Sequence, residues 1–169
     1  MAEEIEYFRR DHDHCMVAWD RLLIWYSFGK VEPVEVDEMT GYFDVMAERF
    51  PDGFGFMLYA SQDCQLPTQA GRRAASQMFA KQKGRLHGMV AVFEGHGFFM
   101  ATARAIVSTM LALARQPFET HVSGNIEDSL AWLCARTPEL RDAPDAAQRA
   151  QDTFAEVARV HAQLLSSAA

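Results

Sequence analysis

The sequence predicts an α/β fold: a mixed, mainly parallel sheet flanked by helices, with an extra helix at the C-terminus. Three observations predict it. Short, almost wholly apolar runs such as FGFMLYA (54–60) and MVAVF (89–93) read as strands buried on both faces. Between them, apolar residues recur at steps of three and four, the period of a helix with one buried side. The composition, 49% hydrophobic and 23% charged over 169 residues, belongs to a chain able to bury one core, which sets aside disordered and fibrous classes.

Taken in order, Ile5 to Arg9 and Met16 to Phe28 read as strands, the second a β-prone apolar run stopped by Gly29. The polar Asp11-His12-Asp13-His14 between them reads as a hairpin connection. Val36, Met39, Phe43, Met46 and Phe50 share one helix face, with Pro33 in the first turn and Pro51-Asp52-Gly53 as the stop. After the strand Phe54–Ala60, a helix runs from Pro67 to Gln82 with Ala70, Ala74 and Met78 on one side, closed by Gly84. Met89 to Phe93 is the next strand. A third helix is marked by Phe99, Ala103, Ile106, Met110 and Leu113, ending near Gln116-Pro117. Phe118 to Val122 is the last strand. Asn125 stands where an N-cap belongs, with Glu127 and Asp128 in the first turn and Leu130, Trp132 and Leu133 turned inward.

The order is β-β-α-β-α-β-α-β-α. Short β-α-β connections demand right-handed crossovers and a parallel sheet, leaving the first strand as an antiparallel edge. Past Pro138 the composition turns small and polar, and a further amphipathic helix carries Phe154, Val157, Ala158, His161 and Leu164 or Leu165 on one face. The expected division is a domain over 1–137 and a linker with a C-terminal helix over 138–169, the helix packing back or meeting a partner.

A net charge of −7 argues against nucleic-acid binding, which needs a basic surface, and against electrostatic recruitment to anionic membranes. The opening MAEEIEYFRR has no apolar signal region, and no apolar run approaches the roughly 20 residues of a membrane span. Cys15, Cys64 and Cys134 form no CxxC pair and read as free, buried thiols. A cytoplasmic location follows as the expectation.

From Phe54 to Leu133 the pattern of elements, with the strand GMVAVFEG, the helix FFMATARAIVSTMLALA and the segment PFETHVSGNIEDSLAWL, resembles the STAS-like or SpoIIAA-like domains. That group shades into lipid-binding SEC14-type proteins. In its anti-sigma-factor antagonists, a serine at the start of the helix after the third strand is phosphorylated, which blocks docking. The matching loop here is Ala60 to Thr68, and it departs from the Asp-Ser pattern: Ser61 precedes Asp63, and Thr68 lies at the helix start. A capping hydroxyl is the favoured role for either Ser61 or Thr68.

Other clusters read plainly. Asp11-His12-Asp13-His14 with Cys15 lacks the further ligands that zinc requires, and reads as a solvated hairpin. In Phe93-Glu94-Gly95-His96-Gly97, a tight turn built on two glycines is favoured. It is also the best-placed location for a site, at the carboxyl end of a parallel strand, where Glu94 and His96 could pair as acid and base beside Asp63 and Ser123. His121 reads as a half-buried strand residue and His161 as packing. Arg72, Arg73, Lys81, Lys83 and Arg85 read as a solvated basic face, or as a docking surface for an acidic partner.

No constellation of nucleophile, base and oxyanion donors emerges, and no metal or cofactor is expected. The leading expectation is a non-enzymatic protein-interaction or regulatory module. It would use Ser61, Asp63, Thr68, Glu94 and His96 toward a protein partner, with Phe154, Val157, His161 and Leu164 as a second surface that could form a homodimer. A small-ligand or lipid carrier of SEC14-like type is the alternative, and an enzyme using Glu94 and His96 the third reading.

Overall fold

The computed structural model describes residues 4–62, 64–95, 97–113 and 117–167. Asp63 and His96 therefore lie outside the described residues. One six-stranded sheet runs in the order β1-β2-β3-β4-β5-β6, comprising Glu6–Arg10, His14–Trp19, Leu22–Ser27, Phe54–Ala60, Leu86–Phe93 and Glu119–Ser123. The pairs β1/β2 and β2/β3 are antiparallel and the other three are parallel, so the sheet is mixed and its first strand an antiparallel edge, as predicted.

The expected single strand Met16–Phe28 is two strands. Asp20 takes a left-handed backbone (φ 49°), and Trp19 pairs with Leu22 across the two-residue turn Asp20-Arg21. The run is apolar on both sides of that turn and contains no glycine there, so neither period nor composition signals it. His14 opens β2 and is buried, which corrects its placement in a solvated connection. The Asp11 carboxylate accepts from the backbone N–H groups of Asp13 and His14 at 2.9 and 2.8 Å, closing a local turn that leaves His12 outside and starts the strand at His14.

Helices α1 (Pro33–Arg49), α2 (Gln69–Ala80) and α3 (Phe98–Leu113) connect successive parallel strands. Strand order advances one neighbour at a time, and right-handed crossovers stepping in one direction place all three helices on one face. There Val36, Met39, Phe43 and Met46 of α1 meet Phe56 and Met89 of the sheet and Phe79 of α2. The described buried residues of α3 are Met100, Ala103, Val107 and Leu111; Ala103 is inward as predicted, while Ile106 is half-buried. Helix α3 is apolar on more than one side, so spacing alone leaves its orientation open; the side chains of Phe99, Met110 and Leu113 lie outside the described set.

The same topology leaves the opposite face uncovered until β6 is complete. Helices α4 (Ile126–Cys134), α5 (Pro138–Arg141) and α6 (Ala146–Ser167) then return across it. They contribute Leu130, Leu133, Leu140, Ala150, Phe154 and Val157 to a second apolar layer with Ile24, Met57 and Val90. Asn125 caps α4 as expected, accepting from Asp128 N–H at 2.9 Å. Trp132 departs from expectation: it is half-buried, stacked on His121 (5.3 Å between centroids), with the Arg136 guanidinium 3.7 Å from its ring centroid. Positions 130 and 133 share the inward side, and 132 falls toward the outer strand β6. No disulfide links the three cysteines, all buried, and burial pushes the Cys15 and Cys134 thiols up to about 11. No described helix is long and apolar enough to cross a membrane.

Candidate functional site

The carboxyl ends of β3, β4 and β5 meet at one edge, where their connections gather. The β4–α2 loop hangs from β3 by the Ser61 N–H to Ser27 carbonyl bond (3.1 Å) and from the β3–α1 connection by the Thr68 N–H to Val31 carbonyl bond (3.2 Å). A Cβ at Gly71 would collide with that Val31 carbonyl oxygen, and one at Gly95 would collide with the side chain of Gln62. The loops after β3, β4 and β5 are thus packed on one another, bringing the neighbourhoods of Ser61 and Glu94 together.

Beneath the β4–α2 loop lies a cavity of about 60 Å³ within a cleft of about 700 Å³ that includes its solvent-open mouth. Trp25, Phe56, Phe79 and Met89, each no more than 4% exposed, form its closed part. Gln65, Leu66, Pro67 and Arg72 stand at the mouth, where solvent reaches them. The apolar wall follows from the strand period: Trp25, Phe56 and Met89 all point to the α1–α3 face.

Ser27 brings a hydroxyl to this wall, and its environment is polar. Trp25 Nε1 donates to His14 Nδ1 at 3.3 Å, making that nitrogen the unprotonated acceptor of a neutral imidazole, and Ser27 Oγ lies 3.4 Å from the same atom. Burial, reinforced by Arg9, lowers the His14 pKa. Residues His14, Trp25 and Ser27 were not predicted as a group. The available signal was a histidine and a serine at opposite ends of a hairpin, visible only once the hidden turn at Asp20 sets His14 opposite Ser27.

The predicted site residues divide. Thr68 is the N-cap of α2, its hydroxyl accepting from Gly71 N–H at 2.9 Å, which is the capping role favoured from sequence. Thr68→Ala is expected to lower stability by about 1 kcal/mol, read as a shift in urea midpoint at unchanged slope. A loss near zero would mean that the bond contributes nothing. Ser61 Oγ is shielded from solvent and has no hydrogen-bond partner among the described residues. Glu94 is exposed and accepts from the Tyr59 hydroxyl at 2.6 Å, on the other face of the sheet from the cavity. Burial and this carboxylate raise the Tyr59 pKa. Ser123 closes a local turn with Asn125 (3.0 Å).

On the tail helix, Phe154, Val157 and His161 face inward. Phe154 stacks on Tyr26 (5.3 Å) and His161 on Phe28 (3.8 Å), and Val157 is wholly buried. Leu164 is half-buried. Among the described residues no group of three acidic, histidine or cysteine side chains could hold a metal.

No family model and no curated protein matches this sequence. In structure the chain is similar to a crystallised, uncharacterised protein of the DUF3478 family from Shewanella loihica PV-4, described as having a SpoIIAA-like fold. The two are 14% identical with a TM-score of 0.48, over 78% of this chain and 93% of that one.

Proposed function

We propose that this protein works by binding rather than catalysis, and that its working surface is the carboxyl edge of the sheet, where the cavity takes up a small ligand with an apolar body. One observation carries the reading: a cavity walled by Trp25, Phe56, Phe79 and Met89 opens under the β4–α2 loop, at the strand ends where α/β sheets place their ligands. Between sheet and helices, that placement matches the small-ligand alternative more closely than a flat docking face does. A partner protein reading the β4–α2 loop would contact the same site, because Cys64, Gln65, Leu66 and Pro67 line the cavity; ligand occupancy and docking would then be coupled through them.

The test is titration of the full chain with hexanol, an uncharged probe, followed by NMR at the side chains of Met39, Met89 and Val107, all in the cavity wall. Saturable shifts confined to these residues are expected. Shifts absent there at saturating probe, or spread evenly over the surface, would overturn the reading.

A further inference from the structure

The chemistry of the mouth specifies more than an apolar body. The protein carries a net charge of −7, and its arginines are mostly engaged by carboxylates. Arg9, Arg21, Arg49, Arg85, Arg136 and Arg159 each have a carboxylate oxygen within 3.0 Å. Arg72 differs. Its Nη1 donates to the Pro67 carbonyl at 3.3 Å, and among the described residues no carboxylate pairs with it. A guanidinium presents five N–H donors in a planar fork, of which this bond uses one among the described residues, and Arg72 lines the cavity mouth. Arg72 also sits in the first turn of α2, a helix of 12 residues whose amino end carries partial positive charge at the same point. Gln65 adds a side-chain amide beside it.

Size narrows the choice. A cavity needs roughly 10–15 Å³ of such volume for each water-sized occupant. The 60 Å³ therefore holds a body of about four to six heavy atoms, and a long acyl chain would have to extend through the mouth into solvent. Among the described residues the wall is apolar apart from the buried Ser27 hydroxyl and Cys64 thiol, so the body is a short alkyl or a ring.

Resting on the binding reading above, we propose that the cavity is the site of a small monocarboxylic acid. Its alkyl or aryl body sits among Trp25, Phe56, Phe79 and Met89, and its carboxylate is held at the mouth by the Arg72 guanidinium. The fork geometry suits two parallel N–H···O bonds to one carboxylate, the strongest such contact a side chain makes. Anionic charge at this edge also complements the end of α2, whereas a cationic ligand would meet repulsion from both.

The experiment compares hexanoate, hexanol, hexylamine and palmitate on the full chain by calorimetric titration, with NMR to locate each on Met39, Met89 and Val107. Hexanoate is expected to bind about tenfold more tightly than hexanol, the increment of one charge-assisted contact, and hexylamine more weakly than either. Arg72→Gln, at a partly exposed position, is expected to abolish the tenfold preference, so that hexanoate binds no more tightly than hexanol. Arg72→Lys is expected to restore part of it. Equal binding of hexanoate and hexanol, or a preference that survives Arg72→Gln, would overturn the acid assignment while leaving the cavity reading standing. Binding of palmitate in the cavity ahead of hexanoate would overturn the size argument. Failure of hexanol and hexanoate alike to reach the cavity would overturn both readings.

Discussion

Val157→Asp is expected to abolish the native fold. Val157 is wholly buried on the inner side of α6, in the layer that Leu130, Leu133 and Phe154 form against the sheet. A carboxylate there is buried among apolar side chains, which costs several kcal/mol, on the order of 4–5, out of a typical total of 5–15. Circular dichroism and proton NMR dispersion at 25 °C should show an unfolded or molten chain. Ala155→Asp, two residues away on the exposed side of the same helix, is the control and is expected to change stability by less than about 0.5 kcal/mol. A Val157→Asp protein that stays folded while its mass in solution halves would instead make α6 the surface between two copies. The inward orientation of Phe154 and His161, against Tyr26 and Phe28, is why unfolding is the expected result.

Acidification is expected to destabilise the protein below about pH 6.5, through two buried histidines. Burial lowers the pKa of His14, and burial with His12 nearby lowers that of His161, both from an ordinary 6.5. Asp11 opposes the shift at both. The sign follows directly: below 6.5 the unfolded chain takes up protons that the folded chain refuses, so stability is full above that value and falls with pH below it. Two such groups give a limiting slope of about 2.7 kcal/mol per pH unit. Among the described residues neither ring nitrogen of His161 meets hydrogen-bond geometry, though the His12 backbone lies near enough to oppose the lowering of its pKa, and the ring lies parallel to Phe28 with an interplanar angle of 2°. His161→Phe keeps that stack and removes both unpaired atoms. It is expected to leave stability at pH 7.5 equal or higher, and to cut the slope between pH 5.5 and 6.5 by up to about 1.4 kcal/mol per unit. Urea unfolding at pH 7.5, 6.5 and 5.5 measures this, and an unchanged slope in the variant would assign the acid sensitivity to other groups.

Much of the architecture is legible in the chain. The strand Phe54–Ala60, the stops at Pro51-Gly53, the α1 face of Val36, Met39, Phe43 and Met46, and the Asn125 and Thr68 caps are local signals, each set by residues within a few positions of one another. The candidate site is less legible. Thr68 and the carboxyl edge could be named from sequence, yet the cavity wall is assembled from Trp25, Phe56, Phe79 and Met89, residues from four separate elements. Each reads alone as ordinary core. A shortfall of packed volume between them is a property of the whole arrangement and leaves no mark on spacing or composition.

By itself, then, the sequence determined the class of fold, the order of its main helices, the centres of its later strands and the net acidic charge. These follow from period, turn residues and charge, all additive along the chain. Only the tertiary structure decided that the apolar stretch around Asp20 folds into two strands, that His14 is interior while His12 is not, and that α6 belongs against the sheet. The physical reason is topological. Three same-handed crossovers cover one face and leave the other bare, so the tail's apolar stripe has a place to go within its own chain. An amphipathic helix read in isolation has a face to bury and no indication of where.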